Sequence, residues 1–196
     1  FITGSVDNMK QLINELLIYA RAGNEVKAKD AVALMRDVKD IVLNNLNAMI
    51  AENQAQIFWQ NIPETIATPQ VKLVQLLQNL LTNSFKYRKQ DVSPNIIISC
   101  FSHQQHWEFS VKDNGVGIAK EDQKRVFDIF VKLQSVHYQN SSGIGLATCK
   151  KIIEQCGGNL WMTSVAGEGS TFHFTIPKGA LISEEPKKEP TVNEMV

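Results

Sequence analysis

The sequence predicts an α+β fold in which helices stack on one face of a mixed sheet. Helix and strand patterns follow one another without the strict alternation of a parallel α/β protein. The 196 residues, 43% hydrophobic and 20% charged, suffice for one core and an appended element but not for two full domains. We therefore expect a two-layer sandwich, a mixed sheet packed by about three helices, with an amino-terminal helical arm.

An amphipathic helix is predicted for this arm. Apolar residues repeat along it at intervals of four and three: Ile2, Val6, Met9, Ile13, Leu16 and Ala20. Gly23 and Asn24 follow in the arrangement expected where a helix stops. We therefore divide the chain into an arm at residues 1–24, a main domain at residues 25–178 and a disordered tail rich in Pro, Glu and Lys at residues 179–196.

Local patterns place the elements of the main domain in a definite order. Pro69 suits the first turn of a long helix with a broad apolar side. Alternating residues predict strands, as where Phe172, Phe174 and Ile176 share one face. The predicted elements are a short strand at 31–36, a helix at 38–50, a strand at 56–60, a helix from 69 to 87, strands at 96–101 and 107–111, helices at 121–130 and 144–155, and a hairpin of strands at 160–164 and 171–176.

Composition argues against several classes of partner. Acidic and basic residues balance at 20 each, so no global field favours nucleic acid or an anionic membrane surface. No apolar run reaches the roughly 18 to 20 residues that span a bilayer. The three cysteines lack metal-ligand spacing and indicate reduced thiols. We expect a cytoplasmic domain without nucleic-acid partner or membrane contact of its own, whatever anchors a longer protein carries.

The most informative pattern lies on one face of the long helix. Gln75, Asn79 and Asn83 are one turn apart, and Lys86 with Tyr87 follow on that face. Asparagine is a mediocre helix former and a poor choice among core leucines, while a merely solvated face, the alternative, more usually carries Glu, Lys and Arg. Mg²⁺ needs only one or two protein oxygens when phosphates supply the rest. Asn83 is therefore predicted to ligate Mg²⁺, and Lys86 to contact a phosphate.

Two glycine-containing segments indicate further nucleotide contacts. Residues 113–118 (Asp-Asn-Gly-Val-Gly-Ile) follow a predicted strand, where a carboxylate can accept from the amine of adenine and glycines permit close approach. Residues 141–146 (Ser-Ser-Gly-Ile-Gly-Leu) open a helix whose N–H groups and dipole can hold phosphate. Each is weak alone, since Asp-Asn-Gly is also a common turn and residues 167–171 read most simply as a hairpin turn.

Taken together, these segments resemble the ATPase domain of sensor histidine kinases. The asparagine helix ending in Lys-Tyr and the segments 113–118, 126–130, 143–147 and 167–171 are similar in order and spacing to the N, G1, F, G2 and G3 boxes of that family. The resemblance covers about residues 30–177. The arm is similar to the second helix of the dimerisation hairpin, in the manner of the phytochrome-like branch. A Bergerat-type ATP-binding fold is thereby implied.

The resemblance also assigns roles by position. It implies ATP and Mg²⁺ as cofactors, with Asn79, Asn83 and Lys86 as catalytic residues and Asn83 as the metal ligand. Residues 131–142 would form a mobile lid over the nucleotide. The implied nucleotide contacts are Asn83, Lys86, Tyr87, Asp113, Gly115, Gly117, Ile118, Lys132, Ser142, Gly143, Gly145, Leu146 and Thr171.

The implied activity is transfer of the ATP γ-phosphoryl group to a histidine on the dimerisation hairpin of a homodimer, for relay to an aspartate of a response regulator receiver domain. The sequence departs from the family in two places. Ser141 and Ser142 precede Gly143 where the G2 box usually begins with another glycine, and the phosphoacceptor His-Glu motif is absent from these residues. The four histidines fall in a turn, the lid and a strand, where surface or structural roles are expected.

Two alternative functions remain open from the sequence. Gyrase-type and heat-shock-chaperone ATPases resemble this domain but carry a glutamate one turn before the magnesium asparagine to activate water. Asn79 stands at that position, and an amide cannot act as the base. In a degenerate nucleotide-binding module, ATP would serve only to set the conformation. Asn83, Lys86 and Asp113 argue against this alternative, and the altered G2 box keeps it open.

Overall fold

The computed structural model describes residues 31–131 and 142–179, together with seven residues of the arm. Those seven are all helical, as predicted: Met9, Leu12, Ile13, Leu16, Leu17, Tyr19 and Ala20. The predicted domain boundary, the tail beyond residue 179, and residues 132–141 of the predicted lid lie outside the described residues. The division into arm, main domain and tail therefore stays a prediction.

One layer of the main domain is a five-stranded mixed sheet, as predicted. The strands of the chain are β1 (Ala33–Leu34), β2 (Gln56–Gln60), β3 (Thr65–Ile66), β4 (Asn95–Ser102), β5 (His106–Lys112), β6 (Leu160–Val165) and β7 (Gly169–Pro177). The sheet has the order β2-β4-β5-β7-β6, and β1 pairs separately with β3. Strand β2 runs parallel to β4, whereas the other pairs are antiparallel.

Helices cover the inner face of this sheet. They are α1 (Met35–Asn45), α2 (Asn47–Glu52), α3 (Gln70–Lys86) and α4 (Gly145–Gln155). The leucines of α3 that share one side, such as Leu76 and Leu80, are fully buried against alternate strand residues such as Ile98 and Phe109. The apolar side of the helix and the apolar face of the sheet thus pack together into a single core between the two layers. The opposite face of the sheet carries the other half of each strand's side chains.

Two predicted elements near the beginning of the domain require correction. The strand predicted at 31–36 covers only two residues, because β1 pairs with a strand of two residues and Met35 already opens α1. Burial of Met35, Val38 and Val42 follows a helical period, which overrides the local strand pattern. The helix predicted at 38–50 is interrupted at Leu46, which separates α1 from α2. The prediction also missed the two residues of β3.

The helix predicted at 121–130 is wrong. That segment is a series of turns closed by bonds over three residues, from Asp122 N to Ala119 O and from Arg125 N to Asp122 O. Its apolar anchor is Val126, which is buried, and the segment ends at Phe130 with a φ of 65°. With only Val126 buried and Phe127 partly buried, the segment has too little apolar surface to hold a regular helix against the core.

Candidate nucleotide site

Two adjoining cavities open between α3, the segment after β5 and the beginning of α4. The first is a slot with a carboxylate at one side and apolar walls, lined among others by Asp113, Gly117, Leu146 and Phe172. The second is a more polar cleft, which shares Asn83 and Leu146 with the first. Its other lining residues include Asn79, Lys86, Ser142, Gly143 and Gly145. An apolar slot beside a polar cleft with a lysine and a helix N-terminus suits a base joined to a phosphate chain.

The carboxylate of Asp113 is fixed by the backbone around it. Its Oδ1 accepts hydrogen bonds from Gly115 N at 2.9 Å and from Ser170 N at 3.1 Å, and its own N–H donates to Ser170 O at 2.9 Å. Burial raises the pKa of this carboxyl group, and hydrogen bonding by Gly115, Ser170 and Ser84 opposes the rise. With Oδ1 engaged twice, Oδ2 keeps acceptor capacity for a donor in the slot.

Glycines shape the segment after Asp113 because neighbouring backbone approaches closely. Gly117 has a φ of 70°, and a Cβ placed there would lie 2.1 Å from Val165 O. Gly115 lies behind the slot, where a Cβ would meet Tyr87 O at 2.6 Å. The same segment is tied to β6 by a bond from Ile118 N to Ser164 Oγ at 2.8 Å. These contacts hold one wall of the slot in place.

We expect Gly117→Ala to lower the free energy of unfolding by more than about 1 kcal/mol, because the new Cβ meets a carbonyl oxygen and φ is positive. The matched control is Gly145→Ala at the first residue of α4, where the nearest atom to the new Cβ, Asn79 Oδ1, is 3.9 Å away. This control should keep its stability, because Ala is the better helix former. Urea denaturation of both variants measures the difference, and equal stabilities would contradict the steric account.

On the cleft side, α3 presents its asparagines to the start of α4. Asn79 Nδ2 donates to Gly145 O at 3.4 Å, which links the two helices. The buried Nδ2 of Asn83 has no hydrogen-bond partner among the residues that the structure describes. Oxygen and nitrogen of an amide are interchangeable by a half-turn, so the side chain can equally offer an oxygen there. A half-buried amide with one buried atom that lacks a partner, on the lining of the polar cleft, fits a ligand for Mg²⁺.

The lysine and the helix start supply positive character to the cleft. Lys86 Nζ lies 5.8 Å from the centre of the Tyr87 ring, and both residues line the cleft. Ser142 Oγ accepts from Ile144 N at 3.2 Å and so organises the turn before α4. Gly143 has a φ of 74° and approaches Val131 and Phe130 closely, where a Cβ would meet Val131 O at 2.7 Å. Where the family usually has a flexible glycine before Gly143, Ser142 thus forms a local hydrogen bond that restricts the backbone.

The structure brings together most of the predicted site residues. Those that line one or both cavities are Asn79, Asn83, Lys86, Tyr87, Asp113, Gly117, Ile118, Ser142, Gly143, Gly145 and Leu146. Lys132 lies outside the described residues. Thr171 lies on the other face of β7 from Ser170 and Phe172, which line the slot. Ser170 therefore lines the slot, as the alternation from Phe172 could have shown, and the nucleotide contact of Thr171 stays a prediction.

Several cleft residues were not predicted at all. Met49 belongs to α2, Asn53 is the residue after the end of α2, and Arg88 lies two residues after the end of α3. Asn53 Nδ2 donates to Met49 O at 2.7 Å, and an N–H of Arg88 donates to Phe85 O at 3.3 Å. Arg88 adds a second basic side chain to the lining of the cleft. Only its adjacency to Lys86 and Tyr87 could have indicated it from the sequence.

Comparison with known proteins decides the family. The family model described as Histidine kinase-, DNA gyrase B-, and HSP90-like ATPase matches residues 68–180, more than half of the chain. The chain belongs to this ATPase family. The matched residues contain α3, the Asp113 segment and α4, and with them all of the slot lining and all of the cleft lining except Met49 and Asn53. Both cavities therefore lie largely within the part of the chain that the ATPase family model matches.

Within the family, the similarity is to histidine kinases. Cyanobacterial phytochrome A of Nostoc sp. (strain PCC 7120) is 37% identical over 198 residues, which cover the whole of this chain and 26% of that protein. The phytochrome-like protein Cph1 of Synechocystis sp. is 38% identical over 91% of this chain and 24% of its own length. The chain thus spans about a quarter of these relatives. A histidine kinase ATP-binding domain of the phytochrome-like branch is confirmed.

Solved structures share the fold. Full-length ShkA in complex with AMPPNP aligns with a TM-score of 0.73 at 23% identity, covering 90% of this chain and 37% of that one. The histidine kinase ThkA in complex with the response regulator TrrA aligns with a TM-score of 0.67 at 20% identity, covering 90% and 49%. The predicted α+β sandwich is confirmed. Among the described residues, no helix is both long and apolar enough to cross a bilayer.

Proposed function

We propose that this chain binds ATP–Mg²⁺ and transfers the γ-phosphoryl group to a histidine on a dimerisation hairpin. The observation that carries the proposal is the pairing of a backbone-held carboxylate, Asp113, with an amide whose buried Nδ2 lacks a partner, Asn83, in adjoining cavities. In this proposal the slot takes adenine, whose amine donates to Asp113, and the cleft takes the phosphates. Family membership supports the use of ATP.

Each cleft residue has a definite task in this proposal. Asn83 would hold Mg²⁺, which neutralises charge on the phosphates when it is bound. Lys86 contacts a phosphate as a point charge, and the first turn of α4 from Gly145 points N–H groups at the phosphate chain. Phosphoryl transfer asks little covalent chemistry of a protein, so positioning and charge stabilisation are the work of these groups.

The arm is proposed to be part of the hairpin that presents the acceptor histidine. Its described apolar residues are exposed, Met9 at 62% and Ile13 at 53%, as expected of a face that packs against another helix. Lys151 of α4 donates to Tyr19 O at 3.0 Å and lies 4.2 Å from the centre of the Tyr19 ring. This contact joins the arm to the helix that borders the cleft. A response regulator, as in the ThkA–TrrA complex, is proposed to receive the phosphoryl group.

An ATPase mechanism with water as acceptor is disfavoured by Asn79. In the structure this amide lines the cleft one turn before Asn83 and donates to Gly145 O. An amide takes up no proton at neutral pH, so it cannot activate water as a glutamate does. The polar lining of the cleft and the carboxylate at one side of the slot also argue against a purely degenerate module. Three free cysteines, two of them buried, support the proposed cytoplasmic location, where thiols stay reduced.

The test of the function is phosphoryl transfer in trans. The chain is mixed with γ-labelled ATP, Mg²⁺ and a separately made hairpin of a phytochrome-type kinase that bears the acceptor histidine. We expect acid-labile label on the hairpin, none on the chain alone, and negligible release of inorganic phosphate. Label that persists with a hairpin lacking the histidine, or rapid ATP hydrolysis by the chain alone, would contradict the proposed acceptor.

A further inference from the structure

A second cluster of metal-binding side chains lies on the β4–β5 hairpin. Its members are His103, His106 and Glu108, whose candidate ligand atoms all lie within 4.8 Å of one another. His103 Nε2 and Glu108 Oε2 are 2.9 Å apart. The two imidazole rings stack with their centres 4.4 Å apart and an angle of 20° between their planes. Three potential ligand groups thus lie side by side on one patch of the surface.

The hairpin geometry creates this arrangement. Strand pairing places Phe101 opposite Glu108 and Ser102 opposite Trp107, and His103 N donates to His106 O at 3.0 Å across the turn. His103 and His106 are therefore the next cross-strand pair, and Glu108 is diagonal to His103 on the same face. Opposite residues of an antiparallel pair have Cβ atoms only about 5 Å apart, which lets both rings reach one ion.

The surroundings favour a cation at this point. Lys178 bonds Ser102 Oγ at 2.7 Å and lies 4.3 Å from the centre of the Trp107 ring, so its charge is on the opposite face of the hairpin. His173 Nδ1 is buried, has no hydrogen-bond partner among the described residues, and lies 3.9 Å from Glu108 Oε1. His173 thus lies behind Glu108, beyond hydrogen-bond distance from it.

We propose that His103, His106 and Glu108 bind a divalent transition-metal ion of the class that Zn²⁺ represents. Two imidazoles and one carboxylate make a ligand set suited to zinc, with a fourth position left for water or another ligand. Mg²⁺ prefers oxygen ligands and would not compete at this site. For the ion to enter, His103 Nε2 and Glu108 Oε2 must move apart from their direct contact. Both side chains are partly exposed, 37% and 32%, and so have room to move.

The proposed site is separate from the nucleotide site. Strand β5 begins at His106 and leads to Lys112, next to Asp113. Six steps of about 3.3 Å separate its two ends by about 20 Å, so an ion on the hairpin cannot touch a nucleotide in the slot. The inference therefore stands independently of the proposed phosphoryl transfer.

Calorimetric titration of the chain with Zn²⁺ in a chelator-free buffer tests the proposal. We expect one ion per chain, and a loss of affinity of at least roughly tenfold in His103→Gln and in His106→Gln, since even outer partners of metal sites contribute that much. The matched control is His137→Gln, which changes the histidine of the predicted lid and should bind Zn²⁺ like the wild type.

Two further measurements distinguish a defined metal site from nonspecific adsorption of Zn²⁺ to the protein surface. Zn²⁺ should raise the Tm of the wild type but not that of the His103→Gln, His106→Gln double variant, because an ion that binds only the folded state stabilises it. Without Zn²⁺ the double variant should have the wild-type Tm and bind ATP–Mg²⁺ normally. No Zn²⁺ binding, or undiminished binding by the double variant, would overturn the proposal.

Discussion

Asp113→Asn is expected to weaken ATP binding roughly tenfold to more than a hundredfold. The Oδ1 of an asparagine can keep both backbone hydrogen bonds, from Gly115 N and Ser170 N. The change therefore falls on the second oxygen, which becomes an NH₂ donor that faces the amine of adenine. Losing a buried hydrogen bond to a charged group costs about 1.5 to 3 kcal/mol, which sets the expected range. Calorimetry with AMPPNP–Mg²⁺ measures it.

The fold should survive this substitution. Burial raises the pKa of Asp113, because burial disfavours the charged form of the carboxyl group. Ionisation of Asp113 therefore lowers the stability of the folded state, and this loss develops as the pH rises through the raised pKa. A neutral amide removes this cost, and the variant should unfold no earlier than the wild type at neutral pH. Asp40→Asn, on an exposed position of α1, is the matched control and should bind normally. If the Asp113 variant and the wild type bound AMPPNP–Mg²⁺ with equal affinity, adenine would not bind in the slot.

Asn83→Ala is expected to abolish most of the effect of Mg²⁺ on nucleotide affinity. Mg²⁺ takes only one or two oxygens from a protein beside phosphates, so losing one is a large change. We expect the gain in affinity from Mg²⁺ to fall at least roughly tenfold, the loss that metal sites show even for outer partners. Titrations of AMPPNP with Mg²⁺ and with excess EDTA, for variant and wild type, measure this gain.

The Asn83→Ala variant is expected to remain folded. The wild-type amide buries a nitrogen without a hydrogen-bond partner among the described residues, which costs the folded state free energy. Replacing it by Ala removes that cost, so gross unfolding is not expected. Asn44→Ala, an exposed asparagine of α1, is the matched control. A variant that keeps the full Mg²⁺ dependence would show that the metal is held elsewhere.

The elements with strong periodic patterns were predictable from the sequence. The apolar side of α3 follows a helical repeat over 17 residues, and the strand predicted at 56–60 coincides with β2. Long amphipathic segments bury one face whatever the details of their neighbours, so their type follows from pattern alone. The same helix carries Asn79, Asn83 and Lys86, and its regular geometry explains why this part of the site could be predicted.

The errors arose where tertiary contacts decide the conformation. Residues 121–130 contain helix-forming residues, yet Phe130 N bonds to Gly143 O and its backbone adopts a φ of 65°, which no local pattern signals. Arg88 and Met49 reach the cleft only because α2 and the end of α3 border the same space. Ser170, which was not predicted, lines the slot because strand alternation places it on the same face as Phe172.

The most direct measurement of the central claim, that the two cavities form one ATP–Mg²⁺ site, is an amide NMR titration of the isotope-labelled chain with AMPPNP–Mg²⁺. We predict saturable shifts at Gly117, Ile118, Gly145 and Ser170, all at the cavities, and none at the hairpin turn at residues 103–106. Absence of saturable shifts, or shifts confined to residues away from the slot and the cleft, would contradict the account.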